Sequence, residues 1–205
     1  MIFLKLLMNI LKYKIMLKSY NTQKIICGCD EAGRGCLAGP VFAAAVILPK
    51  KFKHYLLNDS KKLNKKSRNT LREIIEKEAL YWSVSKVSER QIEKHNILNS
   101  SIQAMHLSIK KIQTDIDLII VDGNKFKKYK KIPHKCIIKG DQKYNSIAAA
   151  SILAKTHRDD FMMSLHLKLP EYKWHENKGY PTKKHKEAIK QFGISSFHRK
   201  TFNYK

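Results

Sequence analysis

Four consecutive apolar residues, Leu118-Ile119-Ile120-Val121, constrain the fold more than any other segment of the 205-residue chain. A run without polar alternation belongs to a strand covered on both faces, which calls for a sheet with helices packed against it. Ile25-Ile26-Cys27-Gly28-Cys29 and Val41–Leu48 read as two further buried strands on either side of a Gly-rich turn. Tyr81–Val87, rich in aromatic and β-branched residues, reads as another, and Cys136-Ile137-Ile138 as a short one. Helical spacing appears at Leu71, Ile74, Ile75 and Ala79. Ser88-Glu89-Arg90-Gln91 fits a capping box before a pattern running from Ile92 through Leu98, Ile102, Met105 and Ile109 to Ile112. The Ala-rich stretch Ser146–Ala154 suits a helix lying close to a sheet, and residues 183–192 predict a shorter helix near the end. Strands first, then alternating helix and strand, predict an α/β domain with a mixed β-sheet flanked by helices.

No repeat, long linker or low-complexity block divides residues 20–205, so they are expected to form one domain. Residues 1–19 are a separate matter. Their longest uncharged run, Leu6–Leu11, contains Asn9 and is too short for a membrane span or a signal-peptide core. The segment reads either as a basic amphipathic helix or as an extension upstream of a start at Met8 or Met16. The expectation is a poorly ordered appendage without a catalytic role, and no membrane partner. Cys27, Cys29, Cys36 and Cys136 are too few and too clustered for a secreted disulfide framework. Reduced thiols and a cytoplasmic location are expected.

Charge enters the argument as a partner signal. Against 17 Asp and Glu stand 41 Lys and Arg, a formal net charge of +24. A surplus of that size favours a polyanion, because phosphates neutralised by lysine and arginine release their counterions. In so basic a chain the placement of the acids is informative. Asp30-Glu31 follows one strand, Asp122 another, and Asp141 a third after Lys139-Gly140. Each alone would suit a turn or a cap. Together they put four carboxylates where α/β sheets carry functional groups, and such a cluster needs cations to relieve its repulsion. All-oxygen ligation favours Mg²⁺ or Mn²⁺ over zinc, and two such ions are a known device for phosphodiester hydrolysis.

The residues also resemble a family. Gly28-Cys29-Asp30-Glu31-Ala32-Gly33-Arg34-Gly35-Cys36-Leu37-Ala38-Gly39-Pro40-Val41 is similar to the opening motif of ribonuclease HII, the bacterial type 2 ribonuclease H. The likeness continues with Asn58-Asp59-Ser60-Lys61-Lys62-Leu63, Val121-Asp122-Gly123-Asn124 and Lys139-Gly140-Asp141. It ends with Ala149–Lys155 and Lys178-Gly179-Tyr180-Pro181-Thr182. The resemblance implies a ribonuclease H-like fold with a helical C-terminal part from about residue 170. It implies that Asp30, Glu31, Asp122 and Asp141 are catalytic and hold two Mg²⁺ or Mn²⁺ ions. Gly33, Arg34, Gly35, Lys61 and Tyr180 become substrate-binding residues: the glycines let the backbone approach a ribose and test its 2′-OH. Arg34 and Lys61 would contact phosphate, and Tyr180 would pack on the sugar beside the ribonucleotide. Asp159 is assigned either a supporting or a structural role.

The implied substrates are RNA–DNA hybrids and duplex DNA carrying single ribonucleotides, cut on the 5′ side of the ribonucleotide to leave 3′-hydroxyl and 5′-phosphate ends. A monomer is expected, with a sliding-clamp contact conceivable. Two residues depart from the family pattern: Cys36 replaces a proline, and Asn177 a histidine before Lys-Gly-Tyr. The alternatives are ribonuclease HIII, which usually carries a substantial N-terminal substrate-binding domain, and a non-catalytic basic RNA-binding protein. The second explains the charge but not the acids at strand ends.

Overall fold

The computed structural model describes residues 16–57, 60 and 63–204. Expectations for residues 1–15 and for Lys61 therefore lie outside the described residues. Five strands, β1 (Ile26–Ala32), β2 (Val41–Ile47), β3 (Tyr81–Val87), β4 (Leu118–Asp122) and β5 (His134–Ile137), form one sheet in the order β3-β2-β1-β4-β5. β1, β2 and β3 are antiparallel neighbours, whereas β4 and β5 run parallel to β1. The expected mixed sheet is present. The helices are α1 (Lys65–Glu78), α2 (Glu89–Lys110), α3 (Asn145–Lys168), α4 (Trp174–Asn177) and α5 (Lys183–Phe192).

The alternation of β2 explains the layers. Ala43 and Ala45 join Cys27, Cys29, Ile119 and Val121 in a core under α2. Ala44 and Val46 face the other way, onto Leu71 and Ile75 of α1 and Ala149–Leu153 of α3. Side chains as small as alanine on a central strand let helices approach both faces closely. Gly28 takes this furthest: a Cβ there would stand 2.3 Å from the Ser146 carbonyl carbon, so only glycine lets α3 lie against β1. The capping box at Ser88 starts α2 as expected, but α2 breaks at Asn96 (φ 61°). The Asn96 side chain accepts from the Asn99 amide at 3.0 Å and restarts the helix. Beyond the sheet, the far half of α3 carries a third cluster, in which Met162 and Leu165 meet Trp174, Tyr172 and Ala188. This is the expected helical C-terminal part.

β1 is longer than its apolar run suggests. Asp30 and Glu31 do not follow the strand but belong to it, paired with Ala44 and Ala43 of β2. The neighbouring backbone of β2 supplies the ladder that lets two acids sit inside a strand.

Candidate active site

Strand register brings the first acids together. β1 and β4 pair up to Cys29↔Val121. One residue further on, Asp30 and Asp122 stand side by side, both on the α3 face, at the roughly 5 Å spacing of neighbouring strands. Asp30, Glu31 and Asp122 line one cleft of about 350 Å³ together with Gly33, Arg34 and Gly35. Tyr180, from the turn between α4 and α5, closes the same cleft. Asp141 does not line it. It is buried at the middle of a single 3₁₀ turn, Gly140–Gln142, beside a backbone amide held by the cleft: Gly140 N–H donates to Asp122 Oδ1 at 2.7 Å.

Electrostatics mark the cleft as cation-seeking. Burial pushes the Asp30 carboxyl well above the usual carboxylate range, and the neighbouring charges of Glu31 and Asp122 add to it. Hydrogen bonds from Ser151 and from the Glu31 amide (2.7 Å) oppose this only in part. Arg34 donates to Glu31 Oε1 at 3.2 Å. The donor set is all oxygen and suits a hard divalent ion in kind. Among the described residues, however, no three His, Cys, Asp or Glu side chains converge as a ready-made ion cage. In this conformation Asp30 and Asp122 are turned to backbone amides and Glu31 to Arg34.

The two glycines of the Gly-Arg-Gly loop differ in kind. Gly33 has φ +98°, and a Cβ there would meet Arg158 Nε at 2.1 Å, so the fold itself requires glycine. At Gly35 a Cβ would meet nothing within 4 Å. The protein's own packing leaves Gly35 free to carry a side chain, which makes its bareness a property of the cleft.

Several cleft residues carry no assignment from the sequence. Ser60, Ser151 and Lys155 line it. Ser60 and Ser151 hydroxyls lie 3.0 Å apart, and Lys155 Nζ pairs with Asp159 Oδ1 at 2.5 Å. Asp159 thus acts on the cleft through Lys155. A signal for them exists: Ser151, Lys155 and Asp159 recur every fourth residue, a polar stripe that starts inside the Ala-rich half of the helix. Two fully buried arginines have no such signal. Arg158 donates to the carbonyls of Pro40, Ala38 and Lys178, and Arg199 to those of Gly39, Gly33 and Arg34. Neither forms an ion pair with a carboxylate among the described residues. Burial brings the Arg199 guanidinium down to about 10, aided by the charge of Arg158.

Tyr180 is held by a chain of hydrogen bonds whose proton positions follow from the donors. Ser195 N–H donates to His198 Nδ1 (2.9 Å), so the His198 proton is on Nε2, 3.2 Å from His185 Nε2. Trp174 Nε1–H also donates to His185 Nε2 (3.1 Å). His185 therefore carries its proton on Nδ1, which donates to the Tyr180 carbonyl at 2.9 Å. The Tyr180 ring keeps its phenol, pushed up to about 12 chiefly by burial, with Cys36 next. Cys36 is fully buried, with Sγ 3.7 Å from the Lys178 carbonyl, and so joins the Gly-Arg-Gly loop to the Tyr180 turn.

Comparison with known proteins places the chain in a family. The profile of the family "Ribonuclease HII" matches residues 27–205. A ribonuclease HII of Christiangramia forsetii is 60% identical over 187 residues, covering 91% of this chain and 94% of that one. The ribonuclease HII of Archaeoglobus fulgidus, solved in complex with PCNA, superposes with a TM-score of 0.75 at 25% identity, over 87% of this chain and 95% of that one. A Bst ribonuclease HIII solved with Mn²⁺ shares the fold alone, at TM-score 0.69 and 18% identity over 88% of this chain and 68% of that one. A non-catalytic RNA-binding protein is thereby set aside. The chain belongs to the ribonuclease HII family and is a ribonuclease H, an endonucleolytic hydrolase of RNA–DNA hybrids.

Proposed function

We propose that the cleft cuts on the 5′ side of a ribonucleotide, both in RNA–DNA hybrids and at single ribonucleotides embedded in duplex DNA. The observation that carries this reading is the joint lining of one cleft by Asp30, Glu31, Asp122 and the Gly33–Gly35 loop. Water adds to phosphorus, the P–O3′ bond breaks, and O3′ leaves as a hydroxyl while the ribonucleotide keeps the 5′-phosphate. Asp30, Glu31 and Asp122, with Asp141 from the adjoining turn, would hold divalent ions. When bound, Mg²⁺ or Mn²⁺ as a pair supplies the activation of water and the stabilisation of the leaving oxygen. Mn²⁺ in the Bst ribonuclease HIII structure supports the choice of ion.

The chain's own residues do the positioning. Bare backbone at Gly35 admits a ribose edge, where amides and carbonyls can meet a 2′-OH. Arg34, half exposed at the rim, and Lys155, fixed by Asp159, offer cations to the phosphates on either side. Tyr180, 37% exposed, presents its ring to the neighbouring sugar. Lys61 is assigned a phosphate contact on the motif alone.

The site is expected to work in a monomer in the cytoplasm; among the described residues no helix is long and apolar enough to cross a membrane. The PCNA complex of the Archaeoglobus relative supports a sliding-clamp contact here too.

A duplex with one central ribonucleotide tests the reading. Cleavage is expected with Mg²⁺ or Mn²⁺, none in EDTA, and none when the ribonucleotide is replaced by a deoxynucleotide. Asp122→Asn should cut turnover by more than the roughly 10–100-fold that follows loss of a supporting partner. It should still bind the duplex, since no cationic group is removed. Full turnover in that variant would refute the carboxylate assignment.

A further inference from the structure

Between Asp122 and Asp141 the chain carries seven lysines, from Lys125 to Lys139, and no carboxylate. All seven are exposed. None pairs with an acid among the described residues, although Lys155, Lys184 and Arg72 elsewhere each do. A free charge run is ordinarily a solvated loop, but this one is fastened down. Phe126, Tyr129 and Ile132, at every third position, pack against the core beneath α2. His106 of α2 meets the rings of Phe126 and Tyr129 at 5.0 and 5.1 Å, and its Nε2 lies 3.0 Å from the Lys127 carbonyl. The lysines between these anchors are left on the outside.

The path of the segment gives the run a direction. It leaves β4 at the cleft, where Gly123 N–H donates to the Ile137 carbonyl (3.0 Å). It arrives beside the start of β4, where Ile119 N–H donates to the Pro133 carbonyl (3.0 Å). Between Ile119 and Asp122 lie three residue steps, about 10 Å of strand. Lys135 follows on the edge strand β5, and Lys139 returns to the cleft beside Gly140. The result is a cationic band from the cleft rim down the outer edge of the sheet. Phosphates along one strand of a duplex recur about every 3.4 Å, so a band of this length faces about three of them.

We propose that this edge is a second nucleic-acid contact: a phosphate track for the duplex flanking the cut ribonucleotide. The inference rests on the nuclease reading of the cleft, because continuity with that cleft is what selects nucleic acid over an acidic protein or an anionic membrane. Two quadruple variants test it: Lys125→Gln/Lys127→Gln/Lys128→Gln/Lys131→Gln on the track, and Lys50→Gln/Lys51→Gln/Lys77→Gln/Lys110→Gln elsewhere on the surface. Binding is measured in EDTA against duplexes of about ten and about thirty base pairs, roughly one and three helical turns, each with one central ribonucleotide.

The track variant should bind the long duplex at least about tenfold more weakly at ~0.1 M salt. Its log–log salt slope should become shallower by about 0.9 for each phosphate that is no longer neutralised. Its affinity for the short duplex should fall as well, because about three phosphates lie within the roughly five base pairs on either side of a central ribonucleotide, and the surface variant should match the parent throughout. Equal losses in both variants would reduce the effect to net charge and overturn the track. So would unchanged long-duplex binding by the track variant, including the case in which only its binding to anionic vesicles or polyglutamate falls. A parent that cuts neither duplex, while the track variant alone binds duplex more weakly than it does, would strike the nuclease reading and leave the track standing.

Discussion

Gly33 and Gly35 sit two residues apart in one loop and are glycine for different reasons. Ala at position 33 must accept φ +98° and a collision with Arg158. Gly33→Ala is expected to cost about 1–3 kcal/mol of stability, in the range of strained or overpacked sites. Gly35→Ala meets open space, so its unfolding temperature should match the parent's while kcat/KM falls at least tenfold, a loss of about 1.4 kcal/mol of transition-state stabilisation. Thermal unfolding and cleavage kinetics on the same two variants separate the cases. A destabilised Gly35→Ala would show that the fold, not the ligand, forbids the side chain. At this scale the acids are legible in the sequence because carboxylates stand out in a basic chain. Arg158 and Arg199 are not, since their partners are carbonyls up to 166 residues away. Asn177 looks like a departure and is a working part. Its amide donates to the Tyr172 carbonyl (2.8 Å) and its oxygen accepts from Gly179 N–H (2.7 Å), shaping the turn that presents Tyr180.

Elements are legible where pattern is local. β3 and α5 have the boundaries that composition predicts, because their ends coincide with a clear strand run and with a capping threonine, Thr182. β1 outruns its apolar pattern, since its last residues owe their strand conformation to pairing with β2 rather than to their own preferences. α3 runs well past its Ala-rich half, into residues whose apolar contacts are with the C-terminal segment. That segment is locked by the His185–His198 pair, and the lock is pH-dependent. His198 is drawn down to about 4, first by burial and then by His185, against an ordinary 6.5. It is neutral when folded but takes up a proton below about pH 6.5 when unfolded. Its contribution is therefore complete above that pH and lost as pH falls toward 4, up to about 3 kcal/mol. Denaturant unfolding of the parent and of His198→Asn should show a stability difference that is larger at pH 7.5 than at pH 5. A difference independent of pH would mean that His198 does not titrate in this way.

For the whole molecule, charge and fold serve different ends. The net charge of +24 names a polyanion and nothing more; the mixed sheet brings Asp30, Glu31 and Asp122 together at one rim of that cationic body. Duplex binding should weaken steeply with salt. Six to ten phosphate contacts predict a loss of about 10³–10⁵ in affinity between 50 and 200 mM, and titration at several salt concentrations gives the number directly. A flat response would leave the excess lysine without a role. The fold class is readable from alternation alone, whereas the closure of the cleft is not, because its walls come from distant parts of the chain. Acids arrive with β1 and β4, Lys155 with α3, and Tyr180 from the turn before α5. The carbonyls of the Gly-Arg-Gly loop wait for Arg199, which follows α5. During synthesis, then, the acids are made long before the loop that aims them can set. A growing chain still attached to its ribosome carries a nuclease's reactive groups without its ribose gauge, and the enzyme becomes complete only once the segment beyond α5 has emerged.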